Sequence, residues 1–144
     1  MQPEILFAIL NYGILLPWAL LIVLPNGRLS RWLTTTVALP IALGVLYGLI
    51  MVLAPMPPGG GDLPSIARVL GSPWGATAMW THAIAFDLFV GVWIVRDARR
   101  RGIGHRWVAP CLLLTLFFGP AGALAYLGGR WIMSSGSSLD EAPS

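Results

Sequence analysis

Residues 80–97, WTHAIAFDLFVGVWIVRD, form an apolar stretch with a histidine and an aspartate inside it. A hydrocarbon layer of about 30 Å is crossed by about 20 helical residues, so a helix over this stretch places His82 and Asp87 within lipid. An ionisable side chain at that depth is costly and marks a functional candidate by default. The remaining chain is read as the scaffold that holds these two groups.

Composition fixes the class. With 56% hydrophobic and 10% charged residues and a mean hydropathy of +0.75, the 144 residues lack the polar surface of a soluble domain. An all-α integral membrane protein is predicted. The net charge of +3 comes from nine arginines, without a lysine, against six carboxylates, a balance that bears on membrane orientation and not on nucleic acid. The single cysteine, Cys111, lies in an apolar run and reads as a small core residue.

Four apolar runs, at about 5–24, 33–54, 76–95 and 108–128, predict a single domain over 1–133 built as a bundle of four transmembrane helices. Glu4 occupies the place of a basic signal-peptide region, so the first run is expected to be a retained helix. Pro17 removes a donor there and crowds the carbonyl of Gly13, and Pro25-Asn26-Gly27 ends the run. In the second run Gly44 and Gly48 share a face and suggest close helix approach. The loop 56–64, MPPGGGDLP, leads into Leu63–Leu70, a short interfacial helix between helices two and three with Asp62 as its cap. The tail 134–144, SSGSSLDEAPS, is small, polar and acidic and is expected to be disordered.

Orientation follows from arginine placement. Arg28 and Arg31 follow helix one, and residues 96–107, RDARRRGIGHRW, hold five more; Arg68 and Arg130 fall on the other side of a four-helix bundle. The expected topology is N-out and C-out in a bacterial cytoplasmic membrane, with the arginine-rich loops cytoplasmic. At about 1.5 Å per residue, Asp87 lies near the midplane, level with Gly119-Pro120-Ala121-Gly122 of helix four. Asn11, Tyr12, Tyr47, His82 and Tyr126 fall together in the outer leaflet, a polar group that suggests a pocket opening outward. Five residues of helix separate His82 from Asp87 by about 140° around the axis, so each is expected to meet a different neighbour. The bland reading stays beside the functional one: Asp87 as a hydrogen-bond donor locking two helices, the tyrosines and most tryptophans (Trp18, Trp32, Trp74, Trp107, Trp131) as interfacial belt residues, Asp97 as a solvated or salt-bridged helix end.

No metal site is expected. Only two histidines are present, His82 and His105, placed on opposite sides of the membrane, which excludes a di-iron centre, and nothing favours a haem. No phosphate-binding glycine loop or Ser/His/Asp arrangement occurs.

Trp80-Thr81-His82, Ala85-Phe86-Asp87-Leu88-Phe89-Val90-Gly91, Arg96-Asp97, Cys111-Leu112-Leu113 and Phe118-Gly119-Pro120-Ala121-Gly122 together resemble the abscisic acid deficient 4-like family of small four-helix membrane proteins. Leu16-Pro17, Val23-Leu24-Pro25 and Ala42–Tyr47 extend the resemblance over nearly all of residues 5–128. It implies a part in forming neoxanthin from violaxanthin, an isomerisation that opens an epoxide and generates an allene without net redox change. That chemistry delivers one proton and removes another. A membrane carboxyl and an imidazole suit the two roles, so Asp87 and His82 are the catalytic candidates. Trp80, Asn11, Tyr12, Tyr47, Phe86, Gly119, Pro120, Gly122 and Tyr126 are the substrate-binding candidates, and no cofactor is called for. Expected partners are membrane lipid, a hydrophobic pigment or isoprenoid ligand, and either a second copy of the chain or carotenoid-pathway enzymes, with no nucleic acid. Two other classes stay open: a non-catalytic pigment- or lipid-binding subunit of a larger complex, and a small proton-coupled transporter acting as a dimer with Asp87 as its proton carrier.

Overall fold

Prolines punctuate the apolar runs. The computed structural model describes residues 2–133, which are all helix, turn and loop with no strand. In order the helices are α1 (Pro3–Gly13), α2 (Leu15–Val23), α3 (Arg28–Thr36), α4 (Ala38–Leu53), α5 (Leu63–Leu70), α6 (Pro73–Arg100), α7 (His105–Phe118) and α8 (Pro120–Met133). The interruptions at Ile14 and Val37 each lie three residues before a proline, Pro17 and Pro40. Each proline cannot donate and crowds the carbonyl four residues back, Gly13 or Thr36; at Ile14 the backbone stays right-handed helical and Pro3–Val23 remains one apolar span, whereas at Val37 the helix breaks with a bend of 54°. The second apolar run is thus a shorter helix than expected, beginning at Ala38, and Val37 adopts a φ of 47°, unusual for a β-branched residue.

Two stretches are long and apolar enough to cross a membrane, Pro3–Val23 (21 residues) and Pro73–Arg100 (28 residues); α3 with α4 makes a third if the pair is counted as one span. The expected polar tail, 134–144, lies outside the described residues.

The chain divides into two compact units. One comprises residues up to Leu15 with Ala38–Phe86, the other Leu16–Val37 with Asp87 onward, and α6 contributes a half to each. In the first unit Leu6, Leu10, Leu43, Ile50, Ala78 and Ile84 are buried. The expected helix Leu63–Leu70 is present with its cap: Asp62 Oδ1 accepts from the Ser65 backbone N–H and Oδ2 from the Ser65 hydroxyl, both at 2.9 Å. That N–H chiefly holds the Asp62 carboxyl below its ordinary value. Gly75 is forced, since a Cβ there would fall 1.8 Å from the Val69 carbonyl oxygen. Gly44 and Gly48 are different: a Cβ at either would meet nothing within 4 Å. Among the described residues of this unit the close helix approach expected of them is absent.

In the second unit Leu21, Leu88, Val92, Ile94, Val108 and Leu112 form the core. Trp18, expected in the interfacial belt, is instead 1% exposed and lies against Gly91, where a Cβ would be 2.7 Å from its ring. The buried Ser30 hydroxyl donates to the Leu20 carbonyl (2.7 Å), fastening α3 to α2. His105 Nε2 meets the Ile22 carbonyl at 2.7 Å, which joins the start of α7 to the end of α2.

The fourth apolar run, expected as one crossing over 108–128, is a hairpin. Gly119 takes φ 50° and ψ −107°, a conformation for glycine, and Pro120 opens a new helix with its φ already set. A Cβ on Gly122 would lie 2.1 Å from Thr115 Oγ1 and 2.4 Å from the Cys111 carbonyl oxygen, so α8 packs directly on α7. Three pairings along α6 fix its direction: Asp87 beside Gly119, Trp93 on Tyr126, and Asp97 bonded to Arg130. As α6 runs towards its arginine-rich end, α8 runs the same way. Arg130, expected at the opposite end of the bundle from Asp97, lies on it.

Candidate functional site

Asp87 is half-buried at the mouth of the α7–α8 turn. A Cβ on Gly119 would stand 2.9 Å from its Oδ1 and 3.6 Å from its Oδ2. Glycine at 119 therefore serves two needs, the positive φ that ends α7 and the space for a carboxyl against the backbone. Among the described residues no hydrogen bond or ion pair engages the Asp87 carboxyl. A carboxyl on a spanning helix without a partner contributes nothing to helix packing by hydrogen bonding, which weakens the reading of Asp87 as a simple lock.

Ten residues further along α6, Asp97 presents the opposite case. The Tyr126 hydroxyl donates to its Oδ2 at 2.6 Å, Arg130 Nη1 donates to the same oxygen at 3.2 Å, and Arg101 Nε donates to Oδ1 at 3.0 Å. The Arg130 side chain is 1% exposed. Trp93 packs edge-on against the Tyr126 ring, centroids 5.7 Å apart. Tyr126 thus belongs with Asp97, fifteen residues along α6 from His82, and not with the outer-leaflet polar group in which it was expected.

His82 is half-buried in the first unit, between the rings of Tyr47 (centroids 5.1 Å apart) and Phe86 (4.8 Å). Trp80 packs on Phe7 at 5.7 Å. Tyr12 is 71% exposed and Asn11 half-buried. Of the residues singled out in the sequence, the structure therefore assembles Tyr47, His82 and Phe86 as one cluster, and Asp87 with the Gly119–Gly122 turn as another. Because α6 is continuous from Pro73 to Arg100, His82 and Asp87 diverge around it by about 140°.

Across residues 5–126 the sequence matches the ABA DEFICIENT 4-like family. The chain belongs to that family. No match is found among curated proteins or among solved structures. The matched region of this ABA DEFICIENT 4-like protein contains Tyr47, His82, Asp87, Asp97 and the Gly119–Gly122 turn, and it stops at Tyr126, before Arg130.

Chemically, Asp87 offers a carboxyl set against an achiral backbone position and beside a proline that cannot donate. His82 offers an imidazole enclosed by aromatic rings. No group of three or more His, Cys, Asp or Glu is placed to hold a metal ion among the described residues. The Asp97 network escaped the sequence reading, which set Asp97 beside Arg96 and Arg100. A signal was present nonetheless: Trp93 and Asp97 are four apart on α6, and Tyr126 and Arg130 are four apart on α8, two matched stripes for helices lying side by side.

Proposed function

We propose that this protein acts on an epoxidised carotenoid or a similar long isoprenoid within the membrane, as an isomerase of the neoxanthin-forming type. Asp87 delivers a proton to the epoxide oxygen as the C–O bond opens, and His82 is assigned removal of the proton whose loss forms the allene. Protons in and out are equal, and no redox cofactor enters. The observation that carries the reading is the Asp87 carboxyl, unpartnered among the described residues and set against Gly119 at a helix break, in a chain of the ABA DEFICIENT 4-like family. Hydrocarbon favours a neutral carboxyl, the form a proton donor requires.

In the same proposal the arginine-rich end faces the cytoplasm of a bacterial cell, by the distribution of Arg28, Arg31 and the five arginines of 96–107. The helices cross three times, and α7–α8 enters from the cytoplasmic side as far as Asp87 and returns.

Co-expression with enzymes that supply an epoxycarotenoid, followed by chromatography of the pigments, tests the activity. A new pigment isomeric with the epoxide, lost in Asp87→Asn while the variant keeps its thermal midpoint in detergent, is the expected result. An unchanged pigment profile with folded protein in the membrane would overturn the reaction, and pigment co-purifying without conversion would assign the chain to the binding-subunit class instead.

A further inference from the structure

At the arginine-rich end of the second unit, a cavity of about 170 Å³ opens between the α2–α3 turn, α6 and the start of α7. Asn26, Arg99 and His105 line it, over a floor of Val95, Ala98 and Val108. Asn26 and Arg99 supply donors, and no carboxylate is among the lining residues. Arg99 is fastened in place: Nη1 donates to Thr34 Oγ1 at 2.8 Å and Nη2 to the Pro25 carbonyl. Two of its five N–H groups are thereby used, leaving a fixed guanidinium with donors to spare. Arg31, exposed and outside the lining, adds its positive charge to the potential felt at Arg99, which favours an anion there. His105 is part of the wall and not of the donor set: its Nε2 faces the Ile22 carbonyl, an acceptor only, so Nε2 bears the hydrogen and that donor is used within the fold.

Size and setting narrow the ligand. Pockets for drug-sized molecules run about 300–1,000 Å³, so this cavity is too small for a pigment and suits a compact anionic head. Leu24, Leu29 and Trp107, just outside it in sequence, are 51–60% exposed, an apolar surround that fits acyl chains. Basic pockets between spanning helices are established places for phospholipid headgroups. We propose that this cavity binds a phosphate-bearing anionic group, presented at the membrane surface by an anionic phospholipid.

The site is independent of the reaction proposed for Asp87, and its test uses no turnover. Full-length protein in a neutral detergent is titrated with phosphatidylglycerol, with phosphatidylcholine and with inorganic phosphate, and thermal midpoint and native mass spectrometry report binding. Phosphatidylglycerol is expected to raise the midpoint and to remain bound, with phosphatidylcholine doing neither; a rise with inorganic phosphate alone, at equal concentration, would locate the affinity in the phosphate and not in the lipid tail. Arg99→Gln should weaken binding about tenfold, and Arg31→Gln, whose exposed side chain leaves the fold intact, about fivefold. Arg106→Gln, exposed and outside the lining, controls for general surface charge. Equal stabilisation by phosphatidylcholine, or a loss in Arg106→Gln as large as in Arg99→Gln and Arg31→Gln, would overturn the proposal.

Discussion

Replacing Asp97 by alanine is expected to release the C-terminal hairpin from α6, because three donors converge on that one carboxylate. Arg130 has a side chain only 1% exposed, and removing the carboxylate from a buried cation typically costs about 3–5 kcal/mol. Arg130 makes further interactions, which favours the lower end, about 3 kcal/mol. Arg101 is the internal control. Its contact with Asp97 is an i,i+4 pair at 3.0 Å with side chains 14% and 11% exposed, and its removal leaves Asp97 still bonded to Tyr126 and Arg130 with no charge stranded, so about 0.5 kcal/mol is expected. At about 2–4 °C per kcal/mol for a chain of this size, Asp97→Ala should lower the thermal midpoint in detergent by about 6–12 °C, and Arg101→Ala by about 2 °C or less. Replacing both charges by apolar groups of similar volume, as in Asp97→Leu with Arg130→Met, should recover most of the loss, since the pair's cost lies in stranding one charge. Circular dichroism melts or a thermal-shift assay on detergent-purified protein would check this. The reasoning fails if Asp97→Ala melts with the parent, or if Arg101→Ala costs as much as Asp97→Ala.

Other consequences are as direct. Gly122→Ala should separate α8 from α7, because the new Cβ would press on the Thr115 backbone nitrogen at 2.2 Å and the Cys111 carbonyl at 2.4 Å; a lowered midpoint and faster amide exchange in both helices would show it, while Gly48→Ala, with nothing within 4 Å, should be silent. Gly119→Ala meets both an unfavourable φ and the Asp87 carboxyl, and a loss of about 1–3 kcal/mol is expected from the backbone alone. Asp62 has a carboxyl held below the ordinary aspartate value of 3.8 by the Ser65 N–H, so its contribution to α5 is present in full above that value and is lost as pH falls through the lower, folded value. Protection of the Ser65 amide against exchange should follow that course, and Asp62→Asn should abolish the pH dependence. A cysteine placed at Ile132 should be labelled from the same side of the membrane as one at Arg99, since α8 returns beside α6; labelling from opposite sides would refute the hairpin.

The sequence made some of this plain and hid the rest for identifiable reasons. Hydropathy and composition specify helices, but each of the runs 5–24 and 33–54 reads as one helix, since a proline is tolerated in a spanning helix when neighbours satisfy the freed groups; the interruptions at Ile14 and Val37 emerge only in the structure. Asp62 could be read as a cap because a capping contact is local. The direction of the fourth run could not be read from hydropathy, which measures how long a segment is and not whether it turns round. Gly119-Pro120-Ala121-Gly122 reads in the sequence as the middle of one crossing helix, and only the Gly122 contacts and the matched stripes of α6 and α8 reveal a reversal. Arginine counting was misled by the same omission: Arg130 was set apart from the loop arginines, whereas it neutralises Asp97 at their end of the unit. Gly44 and Gly48 show the converse error, since small residues permit close packing without requiring it.

The reversal also explains why a carboxyl can stand at Asp87. Had the fourth run crossed as one helix, its backbone at that depth would present hydrogen-bonded carbonyls and side chains to α6. Ending α7 at Gly119 instead gives Asp87 a neighbour with no side chain, next to a proline with no N–H. The Asp97 network then acts at a distance of ten residues, about 15 Å along α6, by holding the far end of α8 in register so that the turn stays beside Asp87. Loss of Asp97 should accordingly disturb whatever Asp87 does, even in a variant stabilised enough to fold. If Asp97→Leu with Arg130→Met recovers the thermal midpoint and with it the pigment conversion, the network serves position alone. Recovery of stability without conversion would assign Asp97, Tyr126 or Arg130 a direct part in the chemistry.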